Sequence, residues 1–403
     1  MKYNEREIKA NEIAVIFIVS ICYVFIPYIT LLTFILFLLF KKIDINSILF
    51  QFLIVCSSLF MFLINITKKP DNDYYVHGLD YISANGQSYI KYILLFGKEP
   101  AYYTYTYFLS NLTHGNYAYW NFTNTFFSYF FFLNAILYLS KSINNSGRIF
   151  IIAVVLALFF PQTFSLSMHL ERQFLAGSIS LYVIARYLTD KKKFIFLFCF
   201  SILTHSSVIL LYLISLIPFL KENINKKNFH KFVAFIGILG FYQILSSAAL
   251  PIFGNIPFIG YALTRASKDT TYELEPIGAP ELSLVVILIL LYIYRSIIIK
   301  DLNNISLNVF YNMSLILSIF ILINIKQAEL SNRLLFYLLF LLPVTVLSFR
   351  FIVNIKITLI TFLTLIQIYF FYKIDNGTWR YAPSIEIVSS SVFYFVGFDY
   401  NFH

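Results

Sequence analysis

Charge is scarce in this chain. Only 12% of its 403 residues are Asp, Glu, Lys or Arg, whereas 59% are hydrophobic and the mean hydropathy is +0.75. A soluble globular domain carries about 25% charged residues, so a soluble enzyme or carrier is not expected. Cysteine is nearly absent. Cys22, Cys56 and Cys199 all lie inside apolar runs with no Cys-x-x-Cys spacing, which argues against a disulfide framework, zinc binding and redox chemistry. Glycine-rich phosphate loops, internal repeats and low-complexity linkers are all missing. The first ten residues, MKYNEREIKA, are polar and no small-residue cleavage site follows the first apolar run, so no cleavable signal peptide is expected.

Long apolar runs dominate instead. Repeated runs of about 20 residues predict an all-α, polytopic integral membrane protein with about 11–13 transmembrane helices, because lipid leaves no partner for unpaired backbone groups. Barrel strands would alternate with period two, and these runs do not. The spans are expected at 12–40, 47–66, 118–140, 149–166, 173–189, 194–219, 232–250, 282–299, 306–325, 334–349 and 356–372, within one membrane domain covering residues 1–403. The formal charge of +10 would suggest nucleic acid in a soluble protein. Here most Lys and Arg fall between apolar runs, so the bilayer is the expected partner and nucleic acid is not.

Basic clusters orient the spans. Lys41–Lys42, Lys141 to Arg148, Lys191 to Lys193, Lys221 to Lys231, Lys300 and Arg350 to Lys356 are expected in the cytoplasm. The stretches 67–117, 167–172, 251–281, 326–333 and 373–403 then face the opposite side, as large outer loops and a tail. Residues 194–219 admit two readings. Lysines at both ends favour a hairpin turning near Leu203 to Ser207, tolerated only where protein or water surrounds it; the other reading is one plain crossing. Residues 12–40, with Pro27 inside, are long for one crossing and short for two, and the N-terminal side stays open. Residues 89–113 are rich in Tyr and suit interfacial helices.

Ionisable residues near membrane depth are costly and mark candidate sites. On the expected outer side these are Asp71, Asp73, His77, Asp80, Glu99, His169, Glu171, Arg172, His205, Arg265, Lys268, Glu273, Glu275, Lys326, Glu329, Arg333 and Arg380. Arg172 and Arg333 are both expected at helix N-termini, where free N–H groups and partial positive charge add to a guanidinium and favour an anion such as phosphate. A single outward arginine also snorkels to headgroups; two against the positive-inside trend favour the anion site. His205, in LTHSSV, is either a general base or a hydrogen-bonded core histidine. Asp73 and Glu99 are either bases or solvated carboxylates. Tyr102, Tyr103, Tyr119 and Trp120 are candidates to stack on sugar rings. No metal-ligand set is evident and no cofactor is expected.

These residues resemble the EpsG/Wzy-type polysaccharide polymerase family. Asp73-Tyr74 is similar to its Asp-Tyr element, and Glu99-Pro100 before aromatics to its Glu-Pro-Gly-Phe element, with Ala101 in place of glycine. Arg172-Gln173-Phe174-Leu175-Ala176 resembles its Arg-Gln-x-Leu-Ala motif. Lys191 to Lys193 followed by His205-Ser206-Ser207 resembles its Lys-rich turn and Phe-His-x-Ser element, with Thr204 in place of Phe. Asn332-Arg333-Leu334 with Tyr337 resembles its Ser-Arg-x-x-x-Tyr element. Lys68-Lys69 stands where an arginine often precedes the Asp element. The matches occur in order over about residues 47–340.

The resemblance implies a GT-C-like membrane glycosyltransferase of the bacterial inner membrane, with its site facing the periplasm. It implies an O-antigen or related polymerase that joins oligosaccharide repeat units carried on undecaprenyl pyrophosphate, with a chain-length-regulating co-polymerase as partner. Arg172 and Arg333, then Arg265 and Arg380, are the expected pyrophosphate ligands; His205, Glu99 and Asp73 are the expected catalytic bases, with His169 a weaker candidate. A flippase or exporter of the same lipid-linked sugar, a ligase and, more remotely, a membrane acyltransferase are the alternatives.

Overall fold

A computed structural model describes residues 2–41, 43–69, 71–96, 99–142, 147–222, 229–256, 260, 263–264, 278–293, 304–325, 328–347, 355–377 and 380–397. Among these residues the structure is helical and contains no strand. The helices are α1 (Lys2–Phe25), α2 (Pro27–Phe40), α3 (Ile48–Ile66), α4 (Asn72–Ala84), α5 (Tyr89–Phe96), α6 (Pro100–Leu112), α7 (Tyr117–Ser142), α8 (Gly147–Phe159), α9 (Pro161–His169), α10 (Glu171–Asp190), α11 (Ile195–Thr204), α12 (Ile209–Leu216), α13 (Phe229–Gly240), α14 (Tyr242–Phe253), α15 (Ala279–Ile293), α16 (Ile305–Ile323), α17 (Ala328–Val346), α18 (Ile355–Asn376), α19 (Ser384–Ser389) and α20 (Val392–Val396). Two compact units form: Met1–Tyr212 with Ile352–His403, and Leu213–Phe351. By length and composition, three described helices could cross a membrane, namely α3, α7 and α16, and a fourth span arises if α8 and α9 count as one. Several shorter apolar helices accompany them, as suits a membrane protein.

Proline and histidine break the long apolar runs. Pro27 opens α2, Pro100 opens α6 and Pro161 opens α9. At the first helical position the missing N–H costs no hydrogen bond, and the residue before proline is pushed out of the helical region. Residues 12–40 are therefore two helices meeting at Ile26. The expected span 149–166 is a pair of helices bent by 52° between Phe159 and Pro161. In 194–219, α11 ends at Thr204, His205 is extended (φ −157°, ψ 114°), and a 3-10 turn over Ser206–Val208 leads into α12. The Phe198 and Tyr212 rings lie 4.6 Å apart, and the Ser201 and Tyr212 hydroxyls share a 2.9 Å hydrogen bond. A continuous helix would separate residues 198 and 212 by about 21 Å, so the chain doubles back at His205.

In the first unit, α7 packs against both α3 and α10. Phe60 on α3, Phe132 and Ile136 on α7 and Phe174 on α10 are buried. Tyr129 meets Phe174 at 5.1 Å, and Tyr28 on α2 donates to Gln367 Oε1 on α18 at 2.9 Å. Phe370 of α18 lies 4.8 Å from Phe164 of α9. At the C-terminal end of α2, Arg148 Nε donates to the Leu39 carbonyl at 3.2 Å, and the preceding Gly147 abuts Phe50 near the N-terminus of α3. At the C-terminal end of α3, Ala382 N donates to Thr67 Oγ1 at 3.3 Å and Lys69 N to the Arg380 carbonyl at 2.9 Å. Arg148, expected in the cytoplasm, follows Gly147 at Phe50, and Arg380 and Ala382, expected on the outer side, meet Lys69 and Thr67 at the other end of the same helix.

Gly147 opens α8 directly against the buried Phe50 ring, which fills the space a Cβ would need. Gly147→Ala must displace that ring at a cost of about 1–3 kcal/mol. A lowered thermal midpoint in detergent is expected; an unchanged midpoint would contradict the close approach.

The stretch 67–117 folds into α4, α5 and α6, held by aromatic burial. Tyr74, Tyr81 and Trp120 form one buried cluster, and Tyr92, Tyr102 and Tyr103 another. Three of the four aromatics considered for sugar stacking, Tyr102, Tyr103 and Trp120, are therefore core residues, whereas Tyr119 is exposed.

In the second unit, the expected span 232–250 divides at Phe241 into α13 and α14. Asn304 caps α16 by accepting from Leu307 N at 3.1 Å. Asn312 on α16 donates to the Leu220 and Glu222 carbonyls, and Ser314 meets Thr345 of α17 at 3.1 Å.

Candidate functional site

Three residues far apart in sequence meet in the first unit. Glu99 stands just before α6, where Pro100 fixes the entry of the helix and the Glu99 carbonyl accepts from Tyr103 N at 3.1 Å. Arg172 is the second residue of α10, and the preceding N-cap residue, Leu170, supplies no side-chain cap. His205 occupies the reversal between α11 and the following 3-10 turn. Arg172 Nη1 donates to Glu99 Oε2, and His205 Nε2 lies 3.6 Å from Glu99 Oε1. The Ser207 hydroxyl holds His205 Nδ1 at 2.6 Å. One carboxylate thus bridges a guanidinium and an imidazole, and a hydroxyl orients the imidazole.

The cluster is sheltered but open. Side-chain exposure is 13% for Glu99, 13% for His205 and 24% for Arg172. The Tyr102 ring lies 5.8 Å from the Arg172 guanidinium carbon. Burial pushes the Tyr102 and Tyr103 hydroxyls well above their ordinary pKa, so both stay neutral. A carboxylate paired with arginine and facing histidine can exchange partners with an incoming anion and accept a proton, directly or through the imidazole.

The other expected residues are placed unequally. Asp73 is exposed in the first turn of α4, and its charge acts on Arg172, His169 and Glu171. Glu171 is buried, and its Oε2 has no hydrogen-bond partner among the described residues. Arg380 is exposed with φ +56°, beside the Lys68 ammonium. Arg333 belongs to the second unit. It is not at a helix N-terminus as expected: α17 already starts at Ala328, and terminal dipole effects fade beyond the first turn. Arg265, Lys268, Glu273, Glu275 and Lys326 lie outside the described residues.

The EpsG family model matches residues 50–382, well over half of the chain. The chain belongs to the EpsG family. Membership points to a polysaccharide polymerase-type function of generally glycosyltransferase character. No curated protein and no solved structure matches the chain. In this EpsG-family chain the matched span holds the whole Glu99–Arg172–His205 cluster.

Two pairings made by His77, Asp80 and Asp71, all candidates by sequence, were not foreseen. His77 Nδ1 pairs with Asp80 Oδ2 at 3.2 Å on α4, with its ring 6.1 Å from Tyr102. Lys68, read only as a departure from an arginine, is fully buried, pairs with Asp71 and lies 5.0 Å over the Tyr74 ring. Burial lowers the Lys68 pKa against the opposing pull of Asp71. Tyr74 in turn donates to the Asn65 carbonyl at 3.2 Å and accepts from Asn121 at 2.5 Å. The i, i+3 spacing of Lys68/Asp71 and His77/Asp80 was the available signal. Lys68→Met leaves Asp71 without its partner and should destabilise by about 1–3 kcal/mol. The double variant Lys68→Met/Asp71→Leu should recover most of that loss in a detergent melting experiment. No recovery would show that the pair is not the source of the loss.

Proposed function

We propose that this chain is a polysaccharide polymerase that joins oligosaccharide repeat units carried on undecaprenyl pyrophosphate. The observation that carries the proposal is the Glu99 carboxylate held between Arg172 and His205 in an EpsG-family chain. The acceptor sugar hydroxyl forms a bond to the anomeric carbon of the growing chain, and the bond from that carbon to the pyrophosphate oxygen breaks. The hydroxyl proton passes to Glu99, directly or by way of His205. Arg172 takes up the negative charge released on the pyrophosphate. The incoming pyrophosphate competes with Glu99 for Arg172, so donor binding frees the carboxylate that must accept the proton. Asp73, exposed nearby, is a secondary acceptor.

Arg380 is a further proposed pyrophosphate ligand at this site. The chain acts as one multi-pass membrane domain of the bacterial inner membrane, its site facing the periplasm, alongside a co-polymerase that sets chain length. Synthesis of O-antigen is the finer reading.

The test is the surface glycan of a deletion strain resolved by size. A single repeat unit without a longer ladder is expected. Loss of every surface unit would instead indicate a flippase or ligase.

A further inference from the structure

An apolar groove of 690 Å³ lies between α6 and α11, and its lining residues Pro100 and Leu203 stand one residue from Glu99 and two residues from His205. Its α6 wall carries Ala101, Thr104, Phe108 and Leu112, and its α11 wall carries Phe196, Cys199 and Leu203, each at helical three- and four-residue spacing. The two helices run in opposite directions. Glu99 precedes the first residue of α6 and His205 follows the last residue of α11, and these two side chains meet at 3.6 Å. One end of the groove, at Pro100, Ala101 and Leu203, therefore lies next to the Glu99–Arg172–His205 cluster, and its apolar length from Ala101 to Leu112 is about 16 Å.

The groove has no polar demand of its own. Thr104 bonds Tyr89, Tyr105 donates to Asn124, and Thr123 donates to the Tyr119 and Trp120 carbonyls. All three hydroxyls of the lining are thus turned onto protein partners, which suits hydrocarbon and not sugar. Phe108, Phe196 and Leu203 are exposed along its rim. Its volume falls in the range of about 300–1,000 Å³ typical of small-molecule sites.

We propose that this groove holds the polyprenyl chain of the lipid pyrophosphate, nearest its headgroup, while Arg172 holds the anion. The occupant follows from an apolar groove whose end adjoins the Glu99–Arg172–His205 cluster: a hydrocarbon chain terminating in phosphate suits both. Aromatic walls suit a chain bearing flat alkenes and branching methyls. This inference rests on the proposed use of a lipid-linked donor and adds where the lipid lies.

Cys199 reports occupancy directly. Cys56 is buried and Cys22 is exposed, so Cys22→Ser leaves Cys199 as the accessible thiol. That protein, full length in detergent micelles, is labelled with an apolar thiol reagent in the presence of undecaprenyl phosphate, geranyl phosphate or phosphatidylglycerol. Undecaprenyl phosphate should slow labelling about tenfold once about nine-tenths of the protein is occupied. Geranyl phosphate, with the same head and a short tail, should protect less, and phosphatidylglycerol should not protect. Ala101→Phe, which fills the groove beside the ionic cluster, should abolish protection in protein that still elutes as one species. Absence of protection by undecaprenyl phosphate, or equal protection by phosphatidylglycerol, overturns the proposal. If Ala101→Phe fails to fold, the labelling of the Cys22→Ser protein decides alone. No turnover is measured, so a failed groove and a failed polymerase assignment give separate results.

Discussion

Replacing Arg172 by alanine is expected to reduce polymerisation by about a hundred- to a thousandfold, the usual consequence of removing one charge-stabilising donor. The donor KM should rise with it, because the guanidinium contacts the pyrophosphate before and during bond breaking. Arg172→Lys should recover only part of the rate. Lysine keeps the charge but loses the planar fork that binds phosphate oxygens in pairs. A structural loss must be separated from a chemical one, because Glu99 is left without its arginine partner in a sheltered setting. Membrane insertion and the elution profile of the variant check this. A normal glycan ladder from Arg172→Ala in correctly inserted protein would remove Arg172 from the site.

Glu99→Gln should leave a different kinetic signature. The amide keeps the shape of the side chain but loses the charge that accepts a proton or supports an imidazolium on His205. A fall in kcat of about a hundred- to ten-thousandfold is expected, the range for loss of a general base. The donor KM should fall or hold steady, because pyrophosphate no longer competes with a carboxylate for Arg172. The opposite movement of KM in Arg172→Ala and Glu99→Gln is the clearest mark of partner exchange. If His205 relays the same proton, Glu99→Gln/His205→Ala should be no slower than the slower single variant, since residues that act as a unit are not additive. A rise in donor KM for Glu99→Gln would contradict the exchange.

Much of this arrangement was legible in the sequence. Apolar runs with few charges imply membrane helices, and the described residues of each expected span are mostly helical. Lysines flanking 194–219 favoured a reversal near His205, and the ring contact between Phe198 and Tyr212 shows one. Arg172 was expected at the start of a helix and is the second residue of α10. What the sequence hid was mainly the long-range pairing. Nothing local links Glu99 to Arg172 or His205, because the pairing depends on how α6, α10 and α11 pack. Pro161 was readable as a helix start, yet the surrounding hydrophobicity masked the bend. Arg333 was misplaced because helix starts are poorly marked when no capping residue stands clear of the apolar run. Tyr102 and Tyr103 were candidates for sugar stacking, but tyrosines bury their rings as readily as they expose them, and here the two pack with Ala84 and Tyr92 to hold α4, α5 and α6 together.

The central claim is most directly tested with purified protein in proteoliposomes supplied with undecaprenyl-pyrophosphate-linked repeat units. Glycan length and free undecaprenyl pyrophosphate are measured together in the natural protein and in Arg172→Ala. The account predicts one lipid pyrophosphate released for each new linkage by the natural protein, and near-complete loss of both products in the variant. Movement of the lipid-linked units across the bilayer without new linkages or released pyrophosphate would contradict it.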